Sequence, residues 1–106
     1  MGKDLQTLTQ AMHNFVSQKG WYGTESLRPQ TPKNIAISLV LEANEVLEHF
    51  QWQSEITNKA ELSSELADVT LYLLQLAQIC KIDLEEAVLK KLEVNYQRDW
   101  DQNTVK

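Results

Sequence analysis

The sequence predicts an all-α fold, in which a four-helix protomer forms a larger helical bundle by oligomerisation. Apolar residues recur at the helical period of 3.6 residues over several long segments. No segment shows the strict alternation of apolar and polar residues that is typical of a half-buried strand. Only three glycines and two prolines occur in 106 residues, and most of them fall in one segment, residues 20–32. These three observations together favour helices joined by short connections.

Length and charge narrow the class of protein. A chain of 106 residues is predicted to be a single domain, 1–106, whose patternless end, 99–106, forms a frayed tail. The net charge of −5 argues against a partner such as duplex nucleic acid. No signal peptide and no run of about 18 apolar residues is present, so we expect a cytoplasmic protein without a membrane partner. The single cysteine, Cys80, is expected to pack in the core.

The first helix is predicted from apolar spacing between Leu5 and Val16, with Gly20 as its C-terminal cap. The loop 20–32 follows, and its aromatic residues Trp21 and Tyr22 predict that it folds over something, as a candidate lid. Thr31 and Pro32 predict the start of the second helix, because a capping hydroxyl precedes a proline at the first helical position.

The second helix is predicted to run to about Gln51. Its broad apolar face is bordered by a polar strip of residues that point in nearly the same direction. The strip contains Ser38, Glu42, Glu45, His49 and Trp52.

The third helix is predicted to begin at Asn58, which forms a capping-box pattern with Glu61, and to run to about Lys81. It is apolar on nearly all sides, which predicts burial on more than one face. One strip of this helix is polar and contains Glu65, Asp68 and Tyr72.

The fourth helix is predicted from Asp83, which repeats the capping-box pattern with Glu86, to about Arg98. Its inward face contains Leu84, Val88, Leu92 and Asn95, with Lys91 beside them. A lysine and an asparagine four residues apart are unexpected on the inward side of a plain amphipathic helix.

Two acidic pairs are the main functional signal. Glu42 with Glu45, and Glu65 with Asp68, each place two carboxylates beside the core on consecutive helices. Composition alone favours solvated helix faces, since such pairs also arise by chance. The context favours a metal site instead, because antiparallel neighbouring helices bring the two strips face to face and four ionised carboxylates would repel. Oxygen ligands of this kind suit Mg²⁺.

Other metal sites fit the sequence less well. Zinc sites use clusters of cysteine and histidine, whereas this chain has one cysteine and two distant histidines. The Glu-x-x-His pairs of a di-iron bundle are missing. His49 follows Glu45 by one turn and is either a neighbour of the metal ligands or, as we favour, a partly exposed histidine at a helix end.

Several further residues are candidates for binding a substrate. Trp52 either stacks on a base or closes the end of the bundle. Tyr72 is placed to hydrogen-bond a ligand or a carboxylate, Lys91 to balance phosphate charge and Asn95 to bond a base or sugar.

The segments PKNIAISLVLEANEVLEHFQW and ELSSELADVTLYLLQLA resemble the MazG-type nucleoside triphosphate pyrophosphohydrolases, within the all-α NTP pyrophosphatase superfamily. The family signature is E-x-x-E followed by E-x-x-D, and 19 residues separate the two motifs in this chain. The phrase FQW after the first motif and DV-x-x-Y in the second are similar to the dCTP-pyrophosphatase-like branch. The resemblance extends over most of the chain, from about Phe15 to Arg98.

This resemblance implies Mg²⁺-dependent hydrolysis of a (deoxy)nucleoside triphosphate to the monophosphate and pyrophosphate, in nucleotide-pool house-cleaning. It implies a homodimer or homotetramer, with a site that a neighbouring copy completes. The Mg²⁺ ligands and catalytic acids would be Glu42, Glu45, Glu65 and Asp68. The substrate-binding residues would be Trp52, Tyr72, Lys91, Asn95 and Trp21.

The preferred base stays open. The loop from Trp21 to Asn34 is longer than in the branch, and His13 does not align with its base-contacting histidine. Other superfamily substrates, such as dUTP or phosphoribosyl-ATP, are a further option. The alternative from another class is a catalytically silent helical module for oligomerisation or partner binding, and the complete set of four acids favours the enzyme.

Overall fold

The computed structural model describes residues 2–98, which form four α-helices and no strand. The all-α prediction is therefore confirmed. The helices are α1 (Leu5–Gln18), α2 (Pro32–Glu48), α3 (Lys59–Ile79) and α4 (Leu84–Gln97). The predicted tail, 99–106, lies outside the described residues.

Every helix begins at a side-chain cap. In each case an oxygen of the capping side chain accepts a hydrogen bond from the backbone N–H three residues later, which satisfies one of the free donors of the first turn. The caps are Asp4, Thr31, Asn58 and Asp83. The three helix starts predicted at Thr31, Asn58 and Asp83 are confirmed.

The helix ends differ more from the prediction. Gly20 follows the last turn of α1 with φ of +74°, a left-handed conformation that suits glycine, as predicted. The second helix ends at Glu48, three residues before the predicted Gln51. The backbone N–H groups of His49, Phe50 and Gln51 bond carbonyls only three residues back, so the chain tightens out of the α-helix there.

The protomer is organised around α3, which packs against both α2 and α1. Its core cluster consists of Met12, Val16 and Leu74, with Leu5, Trp21 and Leu84 against it. The predicted inward face of α4 is largely uncovered within the protomer, because Val88 and Leu92 are 46% and 47% exposed. Cys80 also departs from the prediction, since it caps the C-terminus of α3 and is exposed.

A large apolar surface remains open on α2. Ile37, Val40, Leu41 and Leu47 are between 51% and 66% exposed. The radius of gyration is 17.1 Å, whereas a compact domain of 100 residues has about 13 Å. The protomer thus leaves apolar area uncovered that a neighbouring chain would bury, and oligomerisation stays a prediction.

None of the helices in the described part of the chain combines the length and apolarity needed to cross a membrane.

Candidate functional site

Three of the predicted acids lie within electrostatic range of the fourth, Glu42, where α2 packs on α3. Burial raises the pKa of the Glu42 carboxyl above its ordinary value. Negative charges on the other acids raise this pKa further, and they act in the order Glu45, Asp68 and Glu65. Such charge effects require proximity, so the two acidic strips lie near each other. That all four acids hold one metal ion stays a prediction.

Two buried carboxylate oxygens in this cluster accept no hydrogen bond from the described residues, and the one on Glu42 forms no ion pair with those residues either. Glu42 Oε2 is buried and accepts no hydrogen bond from residues 2–98. A buried oxygen that is neither hydrogen-bonded nor paired is costly. A hard divalent cation would supply the missing interaction and would offset the repulsion among the carboxylates. The chemistry of four carboxylates therefore suits Mg²⁺, while a common position for the ion among all four stays a prediction.

His49 joins the cluster from the end of α2. Its side chain is only 11% exposed, and its Nε2 lies 2.5 Å from Glu65 Oε1. The two atoms form an ion pair when the imidazole is protonated, although they do not meet with hydrogen-bond geometry. His49 does lie at the end of α2 with intermediate exposure, as we favoured, but its side chain also turns back onto α3 and contacts a predicted metal ligand. The helical spacing predicted the side of α2 on which His49 lies, but it did not predict that the side chain contacts α3.

Glu61 lies on the outer side of the same histidine. Its Oε1 is 3.7 Å from His49 Nε2, and its side chain is 62% exposed. One ligand atom each of His49, Glu61 and Glu65 lie within 4.8 Å of one another. An imidazole with two carboxylates suits zinc or another transition metal better than Mg²⁺. This triad is thus an alternative ligand set that shares Glu65 with the predicted one.

A cavity of about 710 Å³ adjoins the acids. Its walls come from α1, the loop 20–31, the first half of α2 and α3. The lining side chains are mainly apolar. Asp68 and Tyr72 line it from α3, so the cavity begins at the acidic cluster. This combination of a mostly apolar cleft with a few polar groups is typical of a small-molecule site.

Trp21 also lines the cavity, and the loop holds it in place. The Trp21 ring meets the Phe15 ring edge-on, with centroids 5.6 Å apart. The Arg28 guanidinium lies 5.5 Å from the centroid of the Trp21 ring, within range of a cation–π contact. The loop therefore folds over the cavity, in agreement with the expectation from its aromatic residues.

Three predicted substrate-binding residues lie elsewhere in the protomer and do not line this cavity. Trp52 follows the early end of α2 and is 89% exposed. Lys91 and Asn95 are on α4, where Lys91 is exposed and Asn95 is half-buried. Their roles in binding remain predictions, and within one protomer they are separate from Trp21 and Tyr72.

The sequence reasoning missed several polar cavity residues, and two of them form a pair. Gln75 of α3 and Gln30 of the loop both line the cavity and are bonded to each other. The available signal was the position of Gln75 seven residues after Asp68, which places it on the same face of α3 as Asp68 and Tyr72.

The model of the MazG-like family matches residues 37–104. The chain is 32% identical over 103 residues to dCTP pyrophosphatase 1 of Mus musculus and 31% identical to that of Homo sapiens. In both cases the match covers 89% of this chain and 58% of the relative, so the chain spans a little over half the length of these relatives. A crystal structure of a pyrophosphatase from Archaeoglobus fulgidus superimposes with a TM-score of 0.74 at 34% identity, covering 90% of this chain and 91% of that one.

Proposed function

Because this chain belongs to the MazG-like family, we propose that it hydrolyses a (deoxy)nucleoside triphosphate to the monophosphate and pyrophosphate. The observation that carries the proposal is the buried Glu42 Oε2 without a hydrogen bond, on the acidic strip of α2, together with a cavity that Asp68 of the other acidic strip lines. An acidic cluster binds the cations that a triphosphate needs, and the apolar cavity receives the rest of the nucleotide. The pyrophosphatase names of the relatives support the same activity.

The proposed cofactor is Mg²⁺, held by Glu42, Glu45, Glu65 and Asp68. When bound, Mg²⁺ would offset the phosphate charge and lower the pKa of a coordinated water. The chain itself positions the parts. The two helices fix the carboxylates, and His49 restricts Glu65. One acid, for which we propose Glu45 as the exposed member, orients or deprotonates the attacking water.

Substrate binding is proposed to use both walls of the cavity. Trp21 offers an aromatic face to a base, and Tyr72 lies between the acids and the inner part of the cavity. The relatives named dCTP pyrophosphatase make dCTP the first substrate to test. We place the activity in nucleotide-pool house-cleaning in the cytoplasm.

A homodimer or homotetramer is proposed as the active form. The exposed apolar face of α2 supports it, because so much apolar surface is unusual for a monomer. Trp52, Lys91 and Asn95 would then complete the cavity of a neighbouring copy rather than their own. The same apolar surface is what favours the second candidate, a catalytically silent oligomerisation module.

A product assay separates these functions. Purified protein with Mg²⁺ is given each deoxynucleoside triphosphate in turn, and the phosphate products are identified. The proposal expects pyrophosphate and the monophosphate. Release of orthophosphate would contradict it, and absence of turnover with every nucleotide, including dUTP and phosphoribosyl-ATP, would favour the silent module.

A further inference from the structure

Gln75 is a buried polar residue at the inner part of the cavity. It is 3% exposed, and the other buried residues in the described part of the chain are apolar. A buried carboxamide is costly unless its hydrogen bonds are made. The partners of Gln75 therefore show what holds it and which of its atoms is left for a ligand.

The loop fixes the orientation of this amide. Gln30 Nε2 donates to the backbone carbonyl of Arg28 at 2.6 Å, and Gln75 Nε2 donates to Gln30 Oε1 at 2.6 Å. A backbone carbonyl can only accept, so it determines which end of the Gln30 amide is nitrogen. Gln30 must then present its oxygen to Gln75. The direction of both amides is thus set by one backbone group.

Tyr22 belongs to the same polar group. Burial raises the pKa of the Tyr22 phenol, and hydrogen bonding to the Gln75 side chain lowers it. The Tyr22 hydroxyl is held by His13, whose Nδ1 is 2.5 Å away. Because the Gln75 nitrogen already donates to Gln30, the carbonyl oxygen is the end of the amide that we assign to a ligand.

The helical spacing places this oxygen at a suitable distance from the acids. Asp68, Tyr72 and Gln75 follow each other at i, i+4 and i+7, so they share one face of α3, and all three line the cavity. Seven residues rise about 10 Å along a helix. That span is comparable to the distance from the α-phosphate of an extended nucleotide to the far edge of its base. A nucleotide with its phosphates at Asp68 thus points its base towards Gln75.

We propose that Gln75, held by Gln30, determines base specificity by accepting a hydrogen bond from an exocyclic amino group of the base, an inference that rests on the proposed function. Cytosine and adenine carry such an amino group. Uracil and thymine carry a carbonyl oxygen at the corresponding position, which cannot donate and would face Gln75 Oε1. The site therefore selects amino bases over keto bases.

The test compares dCTP with dUTP, which differ at the 4-position and the adjacent ring nitrogen. We expect the wild type to favour dCTP in kcat/KM by about tenfold, the factor that one well-made hydrogen bond supplies. Gln75→Leu removes the acceptor, so the dCTP value falls about tenfold and the preference is lost. Gln78→Leu, at an exposed glutamine on the same helix, is the matched control and keeps the preference.

Gln30→Ala gives an independent readout in case Gln75→Leu does not fold. Without Gln30 the Gln75 amide is free to rotate and to donate to a keto base. The preference should then fall because the dUTP value rises, a change that a purely structural role would not produce. Circular dichroism melts establish that each variant is folded.

Binding of the product analogues dCMP and dUMP, measured by calorimetry without metal, separates this inference from the proposed function. One outcome is that the protein turns over nucleotides but neither variant changes the ratio of kcat/KM for dCTP to that for dUTP. This outcome would overturn the inference and leave the proposed function standing. Absence of turnover, together with dCMP binding that is preferred over dUMP and depends on Gln75, would overturn the function and support the inference. Equal binding of dCMP and dUMP by the wild type would refute the role of Gln75.

Discussion

His49 Nε2 and Glu65 Oε1 lie 2.5 Å apart, which links the end of α2 to the acidic strip of α3. The contact is mostly shielded from solvent, since the two side chains are 11% and 18% exposed. The contact restricts Glu65, which is a predicted metal ligand, and it does so through a residue that is not one of the four acids. Residues that orient ligands in this way commonly change metal affinity when they are replaced.

Replacing His49 should weaken the response to metal. We predict that His49→Leu raises the Mg²⁺ concentration needed for half-maximal activity by about tenfold or more, because Glu65 loses its fixed neighbour. Glu61→Gln is the matched control on the exposed side of the same histidine, and its effect should be small. Mg²⁺ titrations of the initial rate measure both. A larger effect of Glu61→Gln would instead favour the triad of His49, Glu61 and Glu65 as the ligand set.

Removing the charge of one predicted ligand should lower the activity without lowering the stability of the folded protein. We predict that Glu42→Gln lowers kcat on the order of 100-fold, as does Asp68→Asn, since each removes a group that holds charge at the site. Glu42→Gln should also raise the melting temperature in EDTA, because a buried negative charge among like charges is lost. Glu48→Gln, at an exposed acid on the same helix, should keep full activity. Full activity of the two site variants would refute the assignment.

The pH dependence of stability follows from the same carboxyl. In the metal-free protein the folded-state pKa of Glu42 is raised above the ordinary 4.5. The folded state then binds the Glu42 proton more tightly than the unfolded state does. The stability that the protonated Glu42 carboxyl contributes is therefore complete below pH 4.5, and it is lost as the pH rises through the raised pKa. We predict that Glu42→Gln becomes progressively more stable than the wild type as the pH rises above 4.5, until the raised pKa has been passed. Chemical denaturation in EDTA across this range measures the difference, and a difference that stays constant would contradict the prediction.

The apolar face of α2 gives a prediction about assembly. Val40 is 66% exposed in the protomer, and a glutamate at this position would place a charge inside the proposed interface between copies. We predict that Val40→Glu lowers the mass measured by light scattering and reduces activity. Ile56→Glu, at a similarly exposed residue of the α2–α3 connection, should alter neither. A wild type that is monomeric at micromolar concentration would refute the proposed assembly.

Much of this protein follows from local sequence. Caps at Thr31, Asn58 and Asp83 depend on bonds that span three residues, so the sequence determines where those helices begin. The placement of Glu42 and Glu45 on one strip, and of Glu65 and Asp68 on another, depends only on the helical period. Because both strips border the core and a short connection joins the two helices, their meeting was predictable as well.

Other features depend on contacts between residues that are far apart in the chain. The fold-back of His49 onto Glu65 and the bond between Gln30 and Gln75, 45 residues apart, are set by how the elements pack. Periodicity gives the direction in which a side chain points, but it does not give what lies opposite. The early end of α2 is a local feature that periodicity also missed, since a tightened turn after Glu48 moved Trp52 off the strip that an uninterrupted helix would have continued. The sequence by itself therefore determined the acids and the helices that carry them, whereas tertiary packing decided the shape and polarity of the cavity beside them.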